Sequence, residues 1–300
     1  MNITHIQNER EALAYGISAV LLWSTVATAF KLGLEYLAIE QLLFLGISFS
    51  WLFFTVILLA RGNFFIEKKD RAVAVLLGII NPFAYYLILF SAYDQLPAHI
   101  AQPLNYTWAI TLAILSVPIL KESLTIRTAI GIGVSYLGVT VLLYSSNSQA
   151  SDTIAPLGVF LAILSTLFWA SYWLISKKSH SDPLSMMFVT FSTALPFSLG
   201  VCLQGPGLPE LNTPHLLSGL WVGLIEMGLT YLLWQRAISR SANTARIGQL
   251  IFLSPFISLV FIYFFLDEKI SFTVILSLSI IVLGTWITQK HNSSTADTAQ

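Results

Sequence analysis

Apolar residues run along this chain in long stretches separated by short polar segments. A helix needs about 20 apolar residues to cross the hydrocarbon core of a bilayer. Ten segments approach that length, over 12–34, 38–60, 72–93, 97–120, 126–145, 155–176, 183–203, 215–236, 243–266 and 271–289. The pattern predicts an all-α integral membrane protein with ten transmembrane helices. The connections are short apart from RGNFFIEKKDR (61–71), SSNSQASDTIAP (145–156) and QGPGLPELNTPH (204–215).

Composition supports the same class. Hydrophobic residues make up 56% of the chain, charged residues 10%, and the mean hydropathy is +0.76. A soluble domain carries about 25% charged residues to cover its surface. The formal net charge is +0, which leaves no basic excess for nucleic acid. The single Cys202 permits no internal disulfide and reads as a small packing residue. The start, MNITHIQNEREALAYG, lacks a basic region and a small-residue cleavage site, so the first span is expected to stay in the mature protein.

Cytoplasmic connections of membrane proteins are enriched in Lys and Arg. With the N-terminus inside, that side collects Arg10, Arg61, Lys68, Lys69, Arg71, Lys121, Arg127, Lys177, Lys178, Arg236, Arg240, Arg246 and Lys290. Of the 15 basic residues only Lys31 and Lys269 fall towards the other face. Both termini are therefore expected in the cytoplasm, with the chain in a cell inner membrane.

The chain also repeats itself. A shift of 146 residues places Trp23 on Trp169, Lys31 on Lys177, Tyr85 on Tyr231, KESLT (121–125) on DEKIS (267–271) and Leu137-Gly138 on Leu283-Gly284. A duplicated unit of five helices enters the membrane from opposite sides in its two copies. The expected halves, 12–145 and 155–289, are then inverted repeats, an organisation that supports alternating access around a site near the midplane.

On these residues the chain resembles the drug/metabolite transporter superfamily, in particular its ten-helix EamA-type members. The resemblance rests on a Trp followed by small residues in helices 1 and 6, on LNYTWAITLAILSVPILKESLT (104–125) and on LSPFISLVFIYFFLDEKIS (253–271). Within the superfamily it is most similar to the aromatic amino-acid exporters, which have a similar Trp in helix 1, an Asn-Tyr-x-Trp run in helix 4 and a Trp-Ala run in helix 6. The resemblance implies export of small metabolites, aromatic amino acids first. It implies a central cavity lined by Trp23, Tyr106, Trp108 and Trp169, with Tyr85 and Tyr86 beside them. Rival readings are a drug or cation exporter of the same fold, a lipid or amphiphile flippase, and a non-transporting scaffold. Both halves lie in one chain, so a monomer is sufficient.

Helical spacing sorts some of these side chains. Trp169 and Trp173 are four apart and share a face, whereas Tyr106 and Trp108 are two apart and on an unbroken helix do not. Trp51, Trp286 and Tyr15 fit an interfacial belt. Asn105, Ser24, Thr25 and Asn81 either offer neutral hydrogen bonds to a substrate or join one helix to another. Glu226 is the acid near the centre of a span, where an ionised carboxylate is costly; it is a candidate for proton coupling or for an ammonium partner. Lys31 reads as a snorkelling side chain, and His99 as a solvated residue at a helix entrance. Asn81-Pro82, Pro103, Pro118, Pro196 and Pro255 are candidates for helix breaks. Neither a metal-ligand cluster nor a phosphate-binding loop appears, which predicts no cofactor and disfavours ATP-driven transport, and no Ser–His–Asp set lies within the spans.

Overall fold

The computed structural model describes residues 8–120, 125–147, 154–179, 181–241 and 244–289, and all regular structure among them is helical. Ten helical segments follow in order: α1 (Glu9–Tyr36), α2 (Ile39–Arg61), α3 (Lys68–Gln95), α4 (98–120), α5 (Ile126–Asn147), α6 (Pro156–Ser176), α7 (Pro183–Gln204), α8 (Thr213–Arg240), α9 (244–266) and α10 (Phe272–Gln289). Among the described residues, eight stretches are long and apolar enough to cross a membrane. The other two segments are α4, interrupted near its middle, and the shorter α10. Local chemistry sets several ends. The side chains of Asn8, Asp182 and Asn212 accept from backbone N–H groups in the first turns of α1, α7 and α8. Pro stands in the first turn of α6, α7 and α8, where its missing N–H costs nothing. Gly62, at φ 65°, ends α2.

The ten spans match the hydrophobic segments, but they are less regular than apolar content suggests. Helix α1 breaks at Ser24-Thr25, α4 at Tyr106-Thr107, and α9 tightens to a 3₁₀ turn at Leu250–Leu253. Helix α8 widens to π-helix over Trp221–Leu229, whereas α3 kinks at Asn81, whose φ of -151° and ψ of 121° are extended, not helical. Among the prolines, Pro82 follows the kink of α3 at Asn81, Pro103 lies just before the break in α4 and Pro255 just after the 3₁₀ turn of α9. Pro118 and Pro196 sit within α-helix.

Packing is self-similar under exchange of the halves. Helix α1 packs on α8 as α6 packs on α3; α2 meets α8 as α7 meets α3; α9 meets α1 as α4 meets α6. The two self-pairs are α2 with α7 and α5 with α10. The second is antiparallel and built on small residues. A Cβ on Gly284 would lie 2.5 Å from the carbonyl oxygen of Gly131, and one on Gly138 would lie 2.8 Å from that of Ser277. Between them Ser135 Oγ donates to the Ile281 carbonyl at 3.0 Å. The 146-residue shift maps Ser135 onto position 281, and maps the pair 131/284 onto 277/138. A local two-fold axis therefore passes at Ser135 and Ile281, and the chain is a ten-helix protein of two inverted five-helix repeats. Small residues let these backbones approach closely, which replaces the hydrophobic drive that lipid removes.

Hydrogen bonds sort the connections into two faces. On the basic face Arg61 pairs with Asp182 at 2.8 Å, Arg240 with Glu11 at 2.5 Å, and Lys178 Nζ donates to the Ile119 carbonyl at 2.9 Å. Buried Asp70 there accepts from Ser179 and Ser181, both at 2.7 Å. Lys121, Glu122 and Lys290 lie outside the described residues.

The opposite face corrects two expectations. Lys31 does not snorkel outward: its Nζ donates to the carbonyls of Tyr93 and Leu96 at 2.7 and 3.1 Å, satisfying the C-terminal end of α3. His99 is not a free solvated side chain: its Nδ1 lies 2.6 Å from Glu268 Oε2, and both side chains are 15% exposed. The Glu268 carboxylate also accepts from the N–H groups of Ala98 and His99 at 2.8 and 2.9 Å, capping α4. Asp267 ends α9 at φ 52°, a conformation that Asp tolerates, and Glu268 follows it. A third correction concerns Trp51, which is no belt residue. It sits halfway along α2 and donates to Ser192 Oγ of α7 at 3.0 Å.

Two stability predictions follow from these contacts. Gly284→Leu should lower the thermal midpoint in detergent, at a cost of about 1–3 kcal/mol or more because the obstacle is backbone; lipid-facing Leu283→Ala should leave it nearly unchanged. For Glu268, burial acts to raise the carboxyl pKa, but the bonds from the His99 side chain and the N–H groups of His99 and Ala98 outweigh it and hold the group below its ordinary 4.5. A depressed pKa contributes stability above the unfolded value, and that contribution is lost as pH falls through the folded one. Glu268→Gln should therefore lower the midpoint at pH 7 by the equivalent of about 1–3 kcal/mol. The gap from the parent should close below about pH 4.5. Equal midpoints at pH 7 would remove the cap from the account.

Candidate functional site

The breaks at Ser24, Asn81, Thr107 and Glu226 are buried in the protein interior, where freed backbone groups can find partners that lipid cannot supply, whereas the 3₁₀ turn of α9 leaves Leu253 exposed. At the break of α1, Ser24 Oγ donates to the Val20 carbonyl at 2.6 Å and lies 3.3 Å from Ser254 Oγ of α9. Thr25 Oγ1 donates to the Leu22 carbonyl at 2.7 Å and accepts from Trp221 Nε1 of α8 at 3.1 Å. These hydroxyls hold the break and join helices. In α4 the equivalent region is tied to α6, where Asn105 Nδ2 donates to Ser165 Oγ at 3.0 Å and Thr111 and Thr166 are 2.8 Å apart.

Between the halves lies a cavity of about 260 Å³. Trp23, Tyr85, Asn105, Tyr106, Trp108, Trp169, Trp173 and Glu226 all line it. Tyr86 does not; it lines an adjoining space of about 30 Å³ with Asn81, Glu226 and Trp169. Tyr106 and Trp108 reach the same cavity although two residues apart, because Tyr106 and Thr107 form the turn that interrupts α4 and the helical rule fails there. Phe30, Tyr93, Gln102 and Trp234 also line the cavity and were not singled out from the sequence. Trp234, near the basic end of α8, carries the signature of a belt residue; its ring packs on Trp23 at 5.4 Å.

The rings form a continuous wall. Tyr85 packs on Trp169 at 4.8 Å, Trp169 on Trp173 at 5.8 Å and on Trp108 at 6.4 Å, and Trp173 stacks on Tyr231 at 6.3 Å. Such pairs are worth about 0.5–1.5 kcal/mol each beyond area burial, so the wall is preorganised. A larger cavity of about 540 Å³ shares Trp108, Trp173 and Trp234 with the first and extends to Lys177, Ser179 and Ser181 on the basic face. The two cavities thus share a wall, and the larger one reaches the basic face. Hydrogen bonds of Lys31 and Glu268 tie the opposite end.

Among the described residues one acid lines the chamber. Glu226 sits in the π-helical turn of α8, is 8% exposed, and accepts at Oε1 from the Tyr86 hydroxyl at 3.2 Å. Its Oε2 has no hydrogen-bond partner among the described residues. The π turn shifts the helical register locally, a feature that recurs at functional sites. Rings, two amides and one carboxyl can hold a small amphipathic organic molecule by apolar contact, cation–π attraction and a few polar bonds. Among the described residues no group of three or more His, Cys, Asp or Glu could hold a metal ion.

Comparison with known proteins agrees with this architecture. The model of the EamA-like transporter family matches twice, over residues 10–144 and 156–289. The chain is 23% identical over 269 residues to the uncharacterized transporter YvbV of Bacillus subtilis, covering 88% of this chain and 86% of the relative. It is 26% identical over 226 residues to the uncharacterized transporter YxxF of the same organism, covering 73% and 68%. An uncharacterized transporter of Archaeoglobus fulgidus is 24% identical over 276 residues, covering 89% and 95%. A solved crystal structure superimposes with a TM-score of 0.65 over 93% of this chain and 96% of its own, at 19% identity, a likeness of fold. With family matches over both halves, this multi-pass membrane protein belongs to the EamA-like transporter family, within the drug/metabolite transporter superfamily.

Proposed function

We propose that the chain is a secondary transporter of the cell inner membrane that exports small amphipathic metabolites by alternating access, amino acids and above all aromatic ones. The observation that carries this reading is the aromatic chamber lined by both halves of the chain, which shares Trp108, Trp173 and Trp234 with a larger cavity extending to the basic face. The bias of Lys and Arg to one face makes that face cytoplasmic, with both termini there. The units 12–145 and 155–289 act as the two repeats, and exchange of their conformations carries the chamber from one face to the other. Trp23, Tyr85, Asn105, Tyr106, Trp108, Trp169 and Trp173 contact the substrate, Tyr86 orients Glu226, and Glu226 couples transport to protons. The chain needs no cofactor, and a monomer suffices.

A second reading, export of a drug-like organic cation, is favoured by one observation: the chamber's ionisable acid faces an aromatic wall.

Efflux from proteoliposomes, with and without a proton gradient, tests both readings. Phenylalanine, tryptophan, threonine and a quaternary cation are compared side by side. Saturable efflux of the aromatic amino acids is expected, reduced about 2- to 30-fold by Trp108→Leu or Trp169→Leu, the range that loss of about 0.5–2 kcal/mol of ring contact implies. Flux of the cation alone would move the function to drug export, and lipid scrambling in place of solute flux would favour a flippase. Wild-type flux should change between about pH 5.5 and 8, and Glu226→Gln should flatten that profile. An unchanged profile in the variant would remove Glu226 from coupling.

A further inference from the structure

Among the described residues, three buried acceptor oxygens in the linings of the chamber and its small annex lack hydrogen-bond partners. Glu226 Oε2 and Gln102 Oε1 belong to residues lining the chamber, and Asn81 Oδ1 to one lining the annex, which itself shares Glu226 with the chamber. Their residues are 8%, 4% and 7% exposed, so bulk water does not satisfy them. A buried polar atom without a partner is destabilising, and a molecule that supplies the missing bond recovers that cost. An amide can exchange its oxygen and nitrogen, but both Glu226 oxygens act as acceptors when the group is ionised. One of them is already held by Tyr86 at 3.2 Å, which fixes the direction of the other.

We infer that this chamber recognises a primary amine on an aromatic body, with the nitrogen bonded to Glu226 Oε2 and a further N–H directed to Gln102. The inference deepens the transporter reading by naming the group through which the substrate is held, and it rests on the same cavity. Whichever partner carries the proton, the contact is a single hydrogen bond, N–H···O from an ammonium or O–H···N to a free amine. A quaternary nitrogen supplies neither. Rings of Trp169, Tyr85 and Trp23 receive the apolar body by stacking. The volume, about 260 Å³, suits a molecule of metabolite size.

The test is equilibrium binding to purified protein in lipid nanodiscs, which is independent of flux. Radiolabelled tryptamine and its N,N,N-trimethyl analogue are the probes, with tryptophan as competitor. Tryptamine is expected to bind at least tenfold more tightly than the quaternary analogue. Glu226→Gln should weaken tryptamine by tenfold or more and erase that preference, the quaternary analogue losing less because it makes no hydrogen bond there. Gln102→Ala and Tyr86→Phe should give smaller losses in the same direction, and each variant is checked for a parent-like thermal midpoint. Equal binding of amine and quaternary analogue by the parent would overturn the inference, as would undiminished tryptamine binding by a folded Glu226→Gln. Glu226-dependent binding without efflux would instead overturn the export reading and leave this one standing; displacement by tryptophan would extend the amine site to amino acids.

Discussion

A backbone amide or carbonyl in the hydrocarbon core has no water to turn to, and this constraint organises the protein. Continuous helix solves it along the lipid-facing lengths of α5, α7 and α10. At Ser24-Thr25, Asn81-Pro82, Tyr106-Thr107 and in the π turn around Glu226, where the ladder fails, buried residues and protein groups surround the failure, whereas the 3₁₀ turn of α9 leaves Leu253 exposed. Thr230 Oγ1, for example, donates to the Ile225 carbonyl at 2.6 Å beside that π turn. Irregular backbone and cavity therefore occur together: the interruptions that need polar neighbours also turn side chains into the chamber.

How far this was legible in the sequence differs by level. Number and placement of the spans follow from apolar runs alone, because burial in lipid imposes a length that composition records. The duplication was legible because residues such as Tyr85/Tyr231 and Gly138/Gly284 keep one spacing without gaps. The breaks were not. Pro118 and Pro196 sit in unbroken α-helix, while α1 breaks at a Ser-Thr pair with no proline. Whether a hydroxyl interrupts a helix depends on what waits across the gap, here Ser254 and Trp221, each about two hundred residues away in sequence.

The chamber residues divide the same way. Trp23, Trp108 and Trp169 were legible as aromatics deep in their spans and Trp173 by its spacing of four from Trp169, and all four line the cavity. Trp234 was hidden because it lies near a helix end, where Trp ordinarily anchors to headgroups. Lys31 and His99 were read from their positions as solvent-seeking groups, yet each meets a helix terminus from another segment. A helix end offers bare carbonyls or N–H groups that a single sequence does not advertise. The hydroxyls of Ser24 and Thr25, read as open between lining and joining, serve to join.

The seam between α5 and α10 carries a consequence for how such a chain could arise. Its contacts are isologous: the approach of Gly131 to Gly284 is answered by that of Gly138 to Ser277, around an axis at Ser135 and Ile281. One five-helix unit therefore contains the complete surface needed to bind an upside-down copy of itself. Two separate copies inserted in opposite orientations would already have formed this seam as a homodimer, so gene fusion had only to fix their stoichiometry and orientation. Once fused, each half was free to diverge, and the acid of α8 could be acquired on one side of the axis alone, since the position 146 residues before Glu226 is Ile80.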